Sequence, residues 1–292
     1  MPIAEGGSVA PCEFMFDRPT FIISAPRSGS TLLFETLAKS PDLATIGGES
    51  HRLIEGVPGL AIAARGWRSN RLSAEDATPD IAASLVQAFQ AALRNREGNP
   101  VSGRVRMLEK TPKNALRVPF LDAIWPDAEF IFLYRDPRQT LASMIEAWQS
   151  GYFRTYPRLP GWTGLPWSLL LVPGWEQLRG LPLPQIVAHQ WARTIAVAVA
   201  DLANLPAARV RALTYEELLA APEATIPALA RAIGVGWDRR IDGRLPISGT
   251  TVSAPAPDKW RAVEPMITEV WPIVAEADGQ ARAFAESHRI AN

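Results

Sequence analysis

Thr20-Phe-Ile-Ile-Ser-Ala-Pro-Arg-Ser-Gly-Ser-Thr-Leu-Leu33 is the stretch from which the fold can be read. Its first five residues, Thr20 to Ser24, are β-branched or aromatic up to the closing serine and are halted by Pro26 and Gly29, so they predict a buried strand feeding a turn. From Ser30 to Lys39 the residues favour helix, and Ser40-Pro41 ends it. A loop between a strand and a helix offers backbone N–H groups and a helix N-terminus to an anion. Gly29 allows close approach of the backbone, Ser28, Ser30 and Thr31 add hydroxyl donors, and Arg27 adds a cation. An ordinary polar strand–helix turn would use the same serines.

The nucleoside-triphosphate loop, G-x-x-x-x-G-K-[ST], is close to this pattern but differs at two key places. Ser24 stands for its first glycine and Ser30 for its lysine. A nucleotide kinase without that lysine lacks its contact to the transferred phosphoryl group.

Working outward, residues 1–17 read as a loose arm. Between Thr78 and Arg96, Ile81, Leu85, Phe89 and Leu93 recur every four positions, which predicts an amphipathic helix. Arg106–Glu109 and Glu129–Tyr134 predict strands, with a helix from about Asn114 to Ile124 between them and another from about Arg138 to Gln149. Gly151 to Pro184 holds Trp162, Trp167, Trp175 and six prolines without periodicity, and predicts an irregular insertion, since proline at this density blocks regular ladders. A helix (Gln185 to about Asn204), a strand (Arg209–Leu213), helices near Tyr215–Leu219 and Pro222–Ile233, a looser stretch (Gly236–Pro257) and a C-terminal helix complete the chain. Strands alternating with helices imply a three-layer α/β fold, a mainly parallel central sheet flanked by helices, in a single domain over 1–292.

Composition narrows the function. Lysine plus arginine number 30 and so do aspartate plus glutamate, so no net field favours a nucleic-acid partner. The single cysteine, Cys12, excludes an internal disulfide and a Cys₄ or Cys₂His₂ zinc site. No basic region followed by an apolar run marks a signal peptide, and no apolar stretch is long enough for a transmembrane segment, so a cytoplasmic protein is the expectation.

Pro26-Arg-Ser-Gly-Ser-Thr-Leu-Leu33 resembles the 5′-phosphosulfate loop of sulfotransferases that use 3′-phosphoadenosine-5′-phosphosulfate (PAPS). The resemblance is closest to the tyrosylprotein and bacterial members, where arginine occupies the place of Arg27. A second motif agrees: Phe130-Ile-Phe-Leu-Tyr-Arg-Asp-Pro-Arg138 with Ser143 eight residues after Arg135 has the form of the 3′-phosphate site. Glu109-Lys-Thr-Pro112 resembles the family's lysine-x-proline segment, and Leu213-Thr-Tyr-Glu-Glu-Leu218 the tyrosine-containing segment that helps enclose the adenosine. Trp191 and Lys259-Trp260 fall where tyrosylprotein sulfotransferases have related residues. The likeness runs from about Thr20 to Trp260. It departs at Ala147, where some relatives carry a further arginine and for which Arg138 is a candidate substitute, and in the insertion, which matches nothing.

The resemblance implies a P-loop kinase-like fold and transfer of a sulfuryl group from PAPS to an acceptor hydroxyl, with 3′-phosphoadenosine-5′-phosphate (PAP) as product. It assigns Arg27, Ser28, Gly29, Ser30, Thr31, Arg135, Ser143, Tyr215 and Lys259 to donor binding. Fixed cations can stabilise the leaving phosphate without a metal, and Arg27 and Lys110 are the candidates; a solvated surface position is the plain alternative for Lys110. In Gly48-Glu-Ser-His-Arg52, Glu49 is the candidate base and His51 its rival. Ser253 could donate to the sulfuryl oxygens or be a simple loop serine. The insertion's tryptophans, with Trp148, Tyr152 and Phe153, are candidates to line an acceptor pocket, with core or dimer contact as the alternative. The expected acceptor is a small or lipid-like hydroxyl compound. A nucleotide kinase and a non-catalytic nucleotide-binding module are the competing classes.

Overall fold

The computed structural model describes residues 15–243, 245–246, 249, 252, 256 and 258–290. Along the chain lie β1 (Met15–Phe16), β2 (Thr20–Ile23), α1 (Ser30–Leu37), β3 (Leu43–Ala44), α2 (His51–Glu55), α3 (Pro79–Ala92), β4 (Arg104–Lys110), α4 (Val118–Ile124) and β5 (Glu129–Tyr134). They are followed by α5 (Pro137–Ser150), β6 (Arg154–Tyr156), β7 (Trp167–Ser168), α6 (Leu183–Ala203), β8 (Val210–Thr214), α7 (Tyr215–Ala220), α8 (Pro222–Ala232) and α9 (Glu264–Ser287).

The long strands pair in the order β4-β2-β5-β8, all parallel, and short β1 and β3 also pair with β4. β2 is hydrogen-bonded on both edges, with Thr20 beside Leu108 of β4 and Phe21 beside Phe130 of β5. A strand in that position is buried on both faces, which explains an apolar run without alternation. Successive side chains still point to opposite faces. Phe21, Phe130 and Phe132 join Phe89 and Trp125 in one core. Ile22, Ile131 and Leu133 join Leu33, Leu37 and Leu229 in the other. Two cores on the two faces of one sheet make three layers.

Two expectations need correction. The helix expected from Asn114 to Ile124 is broken into a 3₁₀ segment (Pro112–Leu116) and α4, with Arg117 at φ −132° between them. Pro119 lacks an N–H and its ring would collide with the carbonyl of Ala115, so one continuous helix cannot pass through it. The insertion is not wholly irregular: β6 and β7 pair antiparallel, a 3₁₀ turn covers Trp175–Leu178, and α6 begins at Leu183.

The insertion's tryptophans also belong to the core. The Trp162 and Trp167 rings meet edge to face at 4.8 Å, and Trp167 touches Trp148 at 5.3 Å and Trp175 at 5.8 Å. Gln190 of α6 accepts from the Trp148 indole and donates to the carbonyls of Ser168 and Leu170, and Asn70 binds both backbone groups of Leu171. Buried indoles and amides paired in this way are structural. Among the described residues no helix is long and apolar enough to cross a membrane.

Candidate active site

All the parallel strands end at the same edge, and each of the long ones leads into candidate site residues: the Ser24–Gly29 loop after β2, Lys110 at the end of β4, Arg135 after β5 and Tyr215 after β8. In open parallel sheets ligands bind outside these carboxyl ends.

The loop itself is bent twice into the left-handed region, at Arg27 (φ 66°) and Gly29 (φ 92°). For a residue with a side chain this costs about 1–2 kcal/mol, and it persists here because the surroundings hold it. Ser28 and Ser30 are buried, and no side chain caps the N-terminus of α1, so the first N–H groups of the helix remain available to a ligand. A Cβ on Gly29 would lie 2.4 Å from two ring carbons of Tyr215, so only glycine permits the close packing of the Tyr215 ring on the loop.

The Arg27 loop and the Arg135–Ser143 segment meet. Arg135 Nη1 donates to the Arg27 carbonyl at 2.9 Å, and Arg27 Nε donates to Ser143 Oγ at 3.2 Å. The Arg135 guanidinium lies 4.3 Å over the Tyr215 ring and its Nη2 donates to Gln139, while its buried Nε has no partner. Burial works against the positive charge of both Arg27 and Arg135, a cost that a bound anion would offset. Phe153, from the start of the insertion, stacks 4.8 Å from the Arg27 guanidinium. Lys259 donates to Glu146 at 2.7 Å, and the Glu146 charge acts on Arg27. Arg138 lies between Trp260 and Trp271. Ser253 lies outside the described residues.

Lys110 is no surface lysine; it is 3% exposed. Its ammonium bridges Thr31 Oγ1 at 3.1 Å and Glu49 Oε1 at 2.6 Å, which joins the loop to the candidate base. The other oxygen of Glu49 is 2.6 Å from His51 Nε2. Against a carboxylate that nitrogen must carry the proton, and Nδ1 is buried without a partner. Burial pushes the Glu49 carboxyl up, but the hydrogen bond from His51 and the charge and hydrogen bond of Lys110 prevail, and its pKa falls to about 2. Thus Glu49, His51 and Lys110 are brought together with Thr31, and Arg27, Arg135, Ser143 and Tyr215 are brought together with Gly29.

A sequence model of the sulfotransferase family matches residues 19–169, just over half the chain. The chain belongs to the sulfotransferase family. The matched span holds the Arg27 loop, the Arg135–Ser143 segment, the Glu49 segment and Lys110. Among relatives of this sulfotransferase-family chain, protein-tyrosine sulfotransferase 2 of Gallus gallus is 23% identical over 219 residues, 74% of this chain and 51% of that protein. Nodulation protein NoeE of Sinorhizobium fredii is 26% identical over 240 residues, 75% of this chain and 50% of that protein. The chain thus spans about half the length of these relatives. A sulfotransferase from Alicyclobacillus acidocaldarius aligns with 90% of this chain and 96% of its own, at 12% identity and a TM-score of 0.48.

Sequence reasoning missed Glu146 and the stacking of Phe153 on Arg27, because each acts through a partner distant in the chain, and it missed Gln139, which accepts from Arg135 only four residues before it. It also missed a buried polar network behind Glu49. The signal for that one was present: Glu109 and Thr111 flank Lys110 directly after the apolar pair Met107 and Leu108 of β4.

Proposed function

We propose that this protein transfers the sulfuryl group of PAPS to the hydroxyl of an acceptor by in-line displacement, with Glu49 as general base. The observation that carries it is the meeting of Arg27, Arg135 and Ser143 across the ends of β2 and β5. It places two guanidinium groups and a hydroxyl where one nucleotide could span them. The α1 N-terminus and Arg27 would hold the 5′-phosphosulfate, and Arg135 with Ser143 the 3′-phosphate. Tyr215, already stacked on Arg135, would border the adenosine. Charge developing on the leaving phosphate oxygen would be met by Arg27 and Lys110.

Lys110 also bears on the kinase alternative. In a nucleoside-triphosphate loop the hydroxyl at the position of Thr31 holds magnesium; here it accepts from an ammonium group. A fixed cation in that place supports a reaction that runs without a metal. Glu49 is ionised and half-exposed, with lone pairs left beyond its bonds to Lys110 and His51. His51 is the poorer base, since one ring nitrogen is committed to Glu49 and the other is buried. Because donor phosphate oxygens would share Lys110, Glu49 becomes more basic as the donor binds. The tryptophans of the insertion are packed on one another and lend no support to an apolar acceptor, so the acceptor class is left at a hydroxyl compound.

The test is turnover of PAPS with a phenol such as 2-naphthol in the presence of EDTA, beside PAP affinity by calorimetry. Glu49→Gln is expected to lower kcat by ~10²–10⁴-fold with PAP affinity retained, and His51→Asn to have a milder effect. Strict dependence on added Mg²⁺, or loss of turnover in His51→Asn while Glu49→Gln stays active, would overturn this assignment.

A further inference from the structure

Behind the Glu49–Lys110 pair lies a second set of polar groups. Glu109, Thr111, Ser50 and Asn114 are each 1% exposed or less. The Thr111 hydroxyl donates to Glu109 Oε1 at 2.5 Å, and the Asn114 amide donates to Oε2 at 2.6 Å. With its proton committed to Glu109, Thr111 Oγ1 is an acceptor toward Ser50, whose backbone N–H reaches it at 2.7 Å and whose hydroxyl lies 3.0 Å away. Burial outweighs the hydrogen bonds of Thr111 and Ser50 and the charges of Lys110 and His51, so the Glu109 carboxyl is raised; the Ser50 N–H donates to Thr111 whichever form Glu109 takes.

The placement of this network gives it a purpose. Ser50 adjoins Glu49 and Thr111 adjoins Lys110. Glu49 lies on a loop between β3 and α2 whose glycines, Gly47 and Gly48, have open space where a side chain would stand. Ile46 before them packs on the core, and beyond the two glycines the bond from the Ser50 N–H to Thr111 ties the backbone beside Glu49 to the end of β4. We infer that Thr111, oriented by Glu109, is a positioning residue that fixes the base-bearing loop against the strand carrying Lys110. The inference rests on Glu49 being the base. Displacement of a reacting group by about 1 Å can cost on the order of 10²-fold in rate, so a bond at this point governs turnover without touching either substrate.

The experiment is a double-mutant cycle on the full chain, read as kcat with PAPS and 2-naphthol and as PAP affinity by calorimetry. Thr111→Val keeps the shape and deletes the hydroxyl. It is expected to lower kcat by ~10–100-fold, leave PAP affinity unchanged, and cost nothing further in a Glu49→Gln background. Thr111→Ser, which restores the hydroxyl, is expected to recover most of the rate. An equal loss in both backgrounds, a Thr111→Ser enzyme as slow as Thr111→Val, or an unchanged kcat would each sink the inference. If Glu49→Gln is itself fully active, the assignment of the base has failed and the inference goes with it; a slow Glu49→Gln beside a fast Thr111→Val sinks the inference alone. Should Thr111→Val not fold, Ser50→Ala enters the same cycle, where a loss confined to the Glu49 background supports the inference and an equal loss in both overturns it.

Discussion

Replacing Arg135 by alanine should remove the preference for a 3′-phosphate and leave the rest of the nucleotide site weakened but working. In the structure Arg135 contributes a hydrogen bond to the Arg27 carbonyl, a stack on Tyr215 and an Nε without a partner. The first two would support the loop for any adenosine nucleotide, whereas the loss of the guanidinium charge should be felt most by a ligand with an additional anion. A charge-assisted hydrogen bond contributes about 1.5–3 kcal/mol and a neutral one about 0.5–1.5 kcal/mol. At about 1.4 kcal/mol per tenfold, Arg135→Ala should weaken ADP, which lacks the 3′-phosphate, by ~2–12-fold, and PAP by that loss multiplied by a further ~10–150-fold for the phosphate contact. The assay is calorimetric titration of both nucleotides into wild type and variant, with the ratio of the two dissociation constants as the readout. Arg135→Lys should fall between, since an ammonium keeps the charge but loses the planar fork that reaches Arg27 while stacking on Tyr215. Equal affinity of the wild type for PAP and ADP, or an equal loss of both in Arg135→Ala, would refute the assignment of Arg135 to the 3′-phosphate.

Two further predictions concern the loop and the base. Gly29→Ala and Gly47→Ala both force alanine into the left-handed region, at about 1–2 kcal/mol each, but only Gly29 faces a ring, with a Cβ 2.4 Å from Tyr215. Gly29→Ala should therefore show the larger drop in melting temperature and lose PAP affinity; equal melting temperatures for the two variants would contradict the packing of Tyr215. Glu49 has its folded pKa depressed from 4.5 to about 2, so its contribution to stability is fully present above the unfolded value and is lost as pH falls toward 2. The melting-temperature advantage of wild type over Glu49→Gln should shrink between about pH 4.5 and 2, and a difference that stays constant with pH would show that the ion pair with Lys110 is not holding the carboxylate.

Much of the fold was legible along the chain because burial imposes a local pattern. Thr20–Ile23 and Glu129–Tyr134 are apolar without alternation since both faces of the central strands are covered, and Pro79 with the fourfold apolar spacing marks α3. The strand–loop–helix placement of Ser24–Thr31 and of the Arg135 segment was legible for a different local reason, since the backbone geometry of each is set by its own glycine, proline and strand–helix context. What the sequence could not decide is which distant side chains meet. Arg27 finds Ser143, and Lys110 finds both Thr31 and Glu49, only because β4, β2 and β5 lie side by side in parallel register with their ends at one edge. The insertion shows the limit most plainly. Its tryptophans carry no periodicity, and whether they face a ligand or a core depends on Trp148, Gln190 and Asn70. Those partners come from three other parts of the chain, and the burial of an indole is decided by whatever surface tertiary packing brings against it.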